Sequence, residues 1–249
     1  MSSKQTLTPF GAGGGAVLRL LSASVGKNQR VREPVKPTTG RVVGYFPSVK
    51  NNRSIAWESQ LEQKACYVFE FSSEVASYRE QPVSVYYQHD GTFKRYTPDF
   101  ELVLTSGELL YVEIKPVNKL ENEELKSQLK SISNFWETQG YAFVVITDKE
   151  LNQPVLQSNL KLLRSYLRIE CDAKLIQISH HWLIQQINPT LADLIAYLDS
   201  PKKTFALIAH GHIGINLFEE IKLKCKLNLR EENSNETSFF SCRFAPDFE

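Results

Sequence analysis

The sequence predicts an α/β chain in which a mixed sheet is covered by helices on both faces, followed by a small helical region that ends in strands. Three observations carry this. Residues 74–115 alternate β-branched and aromatic residues with polar ones, the pattern of half-buried strands. Residues 120–139 (LENEELKSQLKSISNFWETQ) place Leu125, Leu129, Ile132 and Trp136 on one face of a helix. YAFVVIT (141–147) is a continuous apolar run, as expected of a strand buried on both faces.

The elements follow in order. Residues 1–40 read as an irregular basic arm, with Pro9, Pro34 and Pro37 and the glycine run GAGGGA. That run fits a dinucleotide fingerprint in letters only, because no apolar strand precedes it and no βαβ unit surrounds it. RVVGYF (41–46) forms a short strand. In SIAWESQLEQKACYVFEF, Trp57, Leu61, Ala65, Val68 and Phe69 recur at helical spacing, with Asn51 or Ser54 as the cap. Strands follow, turning at Asp90-Gly91 and again at Ser106-Gly107. Gly140 stops the 120–139 helix, and a further helix spans about 154–168.

Beyond about residue 172 the texture changes. WLIQQI, TLADLIAYL and KTFALIAH are short helical segments separated by Pro189 and Pro201, and KLNLR and SFFSCRF are strand-like. Three short helices and a hairpin make a winged-helix pattern. The chain therefore divides into an arm (1–40), a sheet domain (41–172) and a small C-terminal domain (173–249).

Net charge is only +1, but it is unevenly placed. Lys4, Arg19, Lys27, Arg30, Arg32, Lys36, Arg41 and Lys50 face one acid, Glu33, within the first 50 residues, leaving an acidic body. Such an arm suits contact with a phosphate backbone, with Lys36, Arg41 and, farther along, Arg95 as candidate DNA contacts. Cys66, Cys171, Cys225 and Cys242 lack zinc or redox spacing, so buried thiols in a reducing compartment are expected. His180-His181 and His210/His212 have no cysteine or carboxylate at ligand spacing. No apolar run approaches the ~20 residues of a membrane span. AVLRLLSA, interrupted by Arg19, is a poor secretory signal, so a cytoplasmic location is expected.

The chemistry concentrates in YTPDFELVLTSGELLYVEIKP (96–116). Glu113 and Lys115 share a strand face, about 7 Å apart. A hairpin folded at Ser106-Gly107 sets Asp99 opposite or diagonal to Glu113. Two carboxylates on adjacent strands suit Mg²⁺, which takes oxygen ligands and keeps several waters. The neighbouring lysine can hold an attacking water or neutralise charge on a phosphate. A solvated ion pair is the ordinary fate of strand charges. It is disfavoured by the apolar neighbours Phe100, Val112, Ile114 and Pro116. A further acid from the preceding helix is either Glu58 or Glu62, and spacing alone does not choose.

Five motifs in order, S-x-L-E (59–62), R-E-Q-P (79–82), T-P-D-F (97–100), E-I-K-P (113–116) and I-T-D-K-E (146–150), resemble the TnsA family of transposon endonucleases. The resemblance covers about residues 41–170. It implies a restriction-endonuclease-like fold of the PD-(D/E)xK class, with catalytic Glu62, Asp99 and Lys115. It favours Glu62 over Glu58, which would stand four residues too far from Glu80. The implied metal ligands are Glu62, Asp99, Glu113 and the backbone carbonyl of Ile114. Some family members carry glutamine in place of Glu113. The implied cofactor is Mg²⁺, with Mn²⁺ as substitute. The implied activity is hydrolysis at the 5′ ends of a transposon. The implied partners are double-stranded DNA, a TnsB-like transposase acting at the 3′ ends and a TnsC-like AAA+ ATPase. The competing readings are a restriction or repair nuclease of the same fold, and a nuclease-fold assembly module without activity.

Overall fold

The computed structural model describes residues 42–229. The arm, with Lys36 and Arg41, and the expected strand SFFSCRF therefore lie outside the described residues, as does Cys242.

The chain opens with a hairpin, β1 (Gly44–Ser48) against β2 (Arg53–Trp57), paired antiparallel. The helical spacing assigned to Trp57 is thus a correction: SIAW is strand, and helix α1 runs Gln60–Phe71. Neither Asn51 nor Ser54 caps it. Ser59 does, its side chain accepting from the Glu62 N–H. Asn51 is instead committed across the fold, its Oδ1 accepting from the Tyr78 N–H at 2.9 Å. Residues 53–61 satisfy both periods on paper. The pairing with GYFPS decides for strand.

The far end of α1 is held by Lys50, whose Nζ donates to the carbonyls of Phe69, Ser72 and Val75 at 2.9, 2.6 and 2.6 Å. A cation suits a helix C-terminus because unpaired carbonyls gather there.

The central sheet has the order β3-β6-β7-β8. Strand β3 (Val75–Glu80) pairs antiparallel with β6 (Phe100–Leu104), β6 antiparallel with β7 (Leu109–Lys115), and β7 parallel with β8 (Ala142–Thr147). The sheet is mixed, as expected. The expectation of full burial for YAFVVIT is corrected: β8 ends the sheet, and Ala142, Val144 and Val145 are half-buried.

Alternation along β7 assigns its two faces. Leu110, Val112 and Ile114 join Phe69, Phe100 and Leu102 in a core under α1, with Leu156 and Leu160 of helix α4 (Pro154–Arg164). Helix α3 (Asp148–Leu151) leads into α4 and adds Leu151 to this core. Phe69 meets Phe100 edge-on at 5.2 Å. On the other face Tyr111 stacks on Trp136 of helix α2 (Glu123–Thr138) at 3.7 Å. Gly140, just past α2, has φ +78°, which lets the chain reverse into β8.

Strands β4 (Val85–His89) and β5 (Thr92–Tyr96) form a separate hairpin. Its turn is Asp90-Gly91, with φ values of 48° and 72°, as a primed two-residue turn demands. The inner face (Val83, Val85, Tyr87) packs against Leu129, Ile132 and Trp136 of α2, and His89 Nδ1 lies 3.0 Å from Ser131 Oγ.

Helices α5 (Ala173–Ile184), α6 (Leu191–Leu198) and α7 (Pro201–Ala209) enclose a second core with Leu163 and Leu167. A short antiparallel ladder follows, β9 (Ile213–Ile215) with β10 (Leu227–Leu229). KLNL therefore pairs with IGI. Among the described residues, no helix is long and apolar enough to cross a membrane.

Candidate active site

The site lies at the C-terminal end of β7, where the N-terminus of α1, the junction between β5 and β6, and the inner side of the β4–β5 hairpin meet. Asp99 precedes β6 and follows the buried Pro98. Its Oδ2 accepts the Ile114 N–H at 2.8 Å, which ties it across to β7. Its carbonyl accepts the Gln81 N–H at 2.9 Å, and Gln81 holds φ 43°, a turn conformation that ends β3 beside the site.

Glu113 is buried, with its two oxygens claimed from opposite sides. Lys115 Nζ pairs with Oε1, and the Tyr96 hydroxyl donates to Oε2 at 2.6 Å. Alternation puts Glu113 and Lys115 on the α2 face of β7. Ile114 points its side chain into the α1 core while its backbone stays at the site.

The electrostatics describe one coupled group. Burial pushes the Asp99 carboxyl well above the usual carboxylate range. Glu113 and Glu62 add to the rise, and Lys115 and the Ile114 N–H oppose it. Burial also raises Glu62, opposed by its bonds at the helix start and by Lys115. For Lys115, burial is the largest influence and acts downward. Glu113, Asp99 and Glu62 together outweigh it and hold the ammonium above its ordinary value. Burial raises the Tyr96 phenol well above its usual range, and the two carboxylates raise it further.

The expectation of two acids on one helix is corrected: α1 begins at Gln60, so Glu58 precedes its cap, Ser59, and only Glu62 lies in the helix. Glu62 stands in the first turn of α1, with Oε1 accepting from Ser59 Oγ at 2.9 Å and Oε2 from the Glu58 N–H at 2.7 Å. It is the acid whose charge is felt at both Asp99 and Lys115. Glu58 faces Gln81 instead, accepting from its Nε2 at 2.9 Å.

Arg95 is not gathered into this group. It lies on the outward face of β5, opposite Tyr86, and its Nη2 donates to Ser84 Oγ at 3.0 Å. Two of the paired histidines meet backbone carbonyls, His180 Nε2 that of His212 at 2.8 Å and His210 Nε2 that of Ile169 at 2.9 Å, while His181 Nε2 lies 3.0 Å from Gln185 Nε2. Cys66 is buried, and Cys171 and Cys225 are half-buried free thiols.

Tyr96 is the site residue that sequence reasoning passed over. The available signal was strand parity: Tyr96 shares a face with Lys94, opposite to Arg95, and so points inward. Its contact with Glu113 bridges two separate sheets, and no local pattern encodes that.

The donors suit a hard divalent cation by type, being carboxylate and carbonyl oxygens with repulsion that a cation would relieve. Among the described residues, no group of three or more His, Cys, Asp or Glu side chains is gathered closely enough to hold an ion. Mg²⁺ commonly takes only one or two protein carboxylates and keeps its waters, and Asp99 and Glu113 are ligands of that type.

No curated protein matches the chain. Residues 72–148 match the family model described as the TnsA-like endonuclease N-terminal domain, a span that holds Asp99, Glu113, Ile114 and Lys115 and begins after Glu62. Through this segment the chain resembles the N-terminal domain of TnsA-like endonucleases.

Proposed function

We propose that the protein is the metal-dependent DNA endonuclease subunit of a heteromeric transposase, hydrolysing phosphodiester bonds at the 5′ ends of a transposon. The observation that supports this best is the convergence of Asp99, Glu113 and Lys115 on the end of β7, with Glu62 in electrostatic reach. Asp99 and Glu113, with the Ile114 carbonyl and Glu62, are the groups that would hold Mg²⁺ or Mn²⁺. A bound divalent ion supplies charge stabilisation on phosphate oxygens and a more acidic water.

The chain's own groups contribute the rest. Lys115 is held above its ordinary value by three acids, so it is a cation throughout the neutral range. As a cation it would serve as a donor to the phosphate or the attacking water. The Ile114 N–H fixes the Asp99 carboxylate, and Tyr96 fixes Glu113. Ser59 and the Glu58 N–H orient Glu62.

Residues 41–172 form the catalytic domain in this reading. Residues 173–249 form a winged-helix-like domain for docking or DNA contact, and residues 1–40 form a basic arm. The partners are double-stranded transposon ends, a TnsB-like transposase and a TnsC-like AAA+ ATPase. The test is cleavage of donor DNA with the partners present, scoring nicked and double-cut products separately. Cuts at the 5′ ends should need Mg²⁺ or Mn²⁺ and vanish in Asp99→Ala, while 3′ cuts by the partner persist. Undiminished 5′ cutting in excess chelator would refute the metal requirement.

A further inference from the structure

The β4–β5 hairpin has two faces of opposite character. The inner one is buried and anchored on α2. The outer one carries two cross-strand pairs, Tyr86 opposite Arg95 and Gln88 opposite Phe93. All four side chains are exposed, Phe93 at 71% and Tyr86 at 52%. A two-stranded ribbon gains little from leaving two aromatic rings in water, and these are held out on a hairpin whose other face is packed on α2. Arg95 leans back along the strand, its guanidinium on Ser84, whose hydroxyl lies 2.6 Å from that of Thr97. Only Thr97 and Pro98 separate β5 from Asp99. The ribbon is therefore fixed beside the site through the chain itself. It is fixed there again through Tyr96, which turns from the same strand to Glu113.

We propose that this outer face is a DNA-reading ribbon that enters the major groove of the duplex next to the cut. The proposal rests on the nuclease reading above. The B-form major groove admits a two-stranded β-ribbon. The side chains are those that suit base edges there: a guanidinium for guanine O6 and N7, a carboxamide for adenine N6 and N7, and an aromatic edge for the thymine methyl. Tyr86 brings a hydroxyl that suits a phosphate or sugar. The cationic Arg95 matches the polyanionic occupant, and Asp90 sits apart at the ribbon's tip.

The test measures equilibrium binding of the full chain carrying Asp99→Asn, without divalent ions, to three fluorescent probes: a short DNA duplex, an RNA duplex of the same sequence, and the DNA single strand. Combining Gln88→Ala, Phe93→Ala and Arg95→Ala, all at exposed positions, should weaken DNA-duplex binding at least tenfold. RNA-duplex binding should hardly change, because the A-form major groove is too deep and narrow for side chains to read. The triple variant should also recover a flatter sequence distribution than its parent from a randomised duplex pool. Unchanged DNA affinity, equal losses on DNA and RNA duplexes, or tighter binding of the single strand would each overturn the ribbon. So would absence of duplex binding by the parent. Cleavage is scored separately: a ribbon that fails these tests leaves the catalytic assignment standing, and an active Asp99→Asn enzyme sinks the catalytic assignment while the binding result stands.

Discussion

The phenol of Tyr96 and the carboxylate of Glu113 are joined by a 2.6 Å hydrogen bond that crosses from the β4–β5 hairpin to the central sheet. With Lys115 on the other oxygen, Glu113 is held between two donors. Tyr96→Phe keeps the ring contacts with Tyr87 and Phe143 and removes only the hydroxyl. Stability should fall by about 1.5–3 kcal/mol, the net worth of a hydrogen bond to a charged group. The Mg²⁺ concentration for half-maximal cleavage should rise about tenfold, as for a lost partner behind a metal ligand. Direct Mn²⁺ titration of the DNA-free protein should show the same shift; an unmoved midpoint would mean that Tyr96 only packs.

Asp99→Asn should abolish cleavage and make the metal-free protein more stable at neutral pH. The Asp99 carboxyl titrates higher in the fold than in the open chain, chiefly because it is buried. Its favourable contribution is thus complete below the ordinary carboxylate range and is lost as pH rises through the folded value. Glu62 acts in the same direction. Asparagine has no such dependence. Melting curves of the two proteins should converge in acid and separate as pH climbs, with the variant higher; parallel curves would contradict the burial account.

Lys115→Ala should stop cleavage without abolishing Mn²⁺ binding. Glu113 would lose its charge partner while staying buried, at a cost of up to about 3 kcal/mol. Added Mn²⁺ should recover part of that loss in a thermal melt, because a cation replaces a cation. A variant that cannot bind Mn²⁺ at all would place the lysine's role in building the site.

Glu62→Ala should lower cleavage at least a hundredfold and cost about 1 kcal/mol through its lost contacts at the start of α1. Glu58→Ala should leave cleavage nearly unchanged, since Glu58 contacts Gln81. The reverse ranking, read in the same 5′-cut assay, would reassign the helical acid.

Much of this was legible because it is local. A two-residue turn at Asp90-Gly91 and a three-residue turn ending in Ser106-Gly107 announce their hairpins, and the face of α2 follows from Leu129, Ile132 and Trp136 alone. The convergence of Asp99, Glu113 and Lys115 follows from strand parity and one turn. The failures are non-local. Trp57 fits the helical period of Leu61 and Ala65 as well as a strand, and only its pairing with Gly44 settles it. YAFVVIT is as apolar as a central strand, yet its place in the sheet order puts it at the edge. The Tyr96 bond depends on how a separate hairpin is laid over the sheet.

The clasp of Lys50 on the far end of α1 bears on where this protein can be cut. The family match begins at residue 72, after α1 has ended. A fragment of residues 72–148 would lose Arg53, which meets buried Glu80 through two nitrogens at 3.0 and 2.7 Å, and Phe69, which covers Phe100. It would expose one whole face of the sheet and strand an acid beneath it. The inherited segment and the cooperative folding unit are thus different lengths of chain. Autonomous folding should require the β1–β2 hairpin and the Lys50 clasp at one end and α4 at the other.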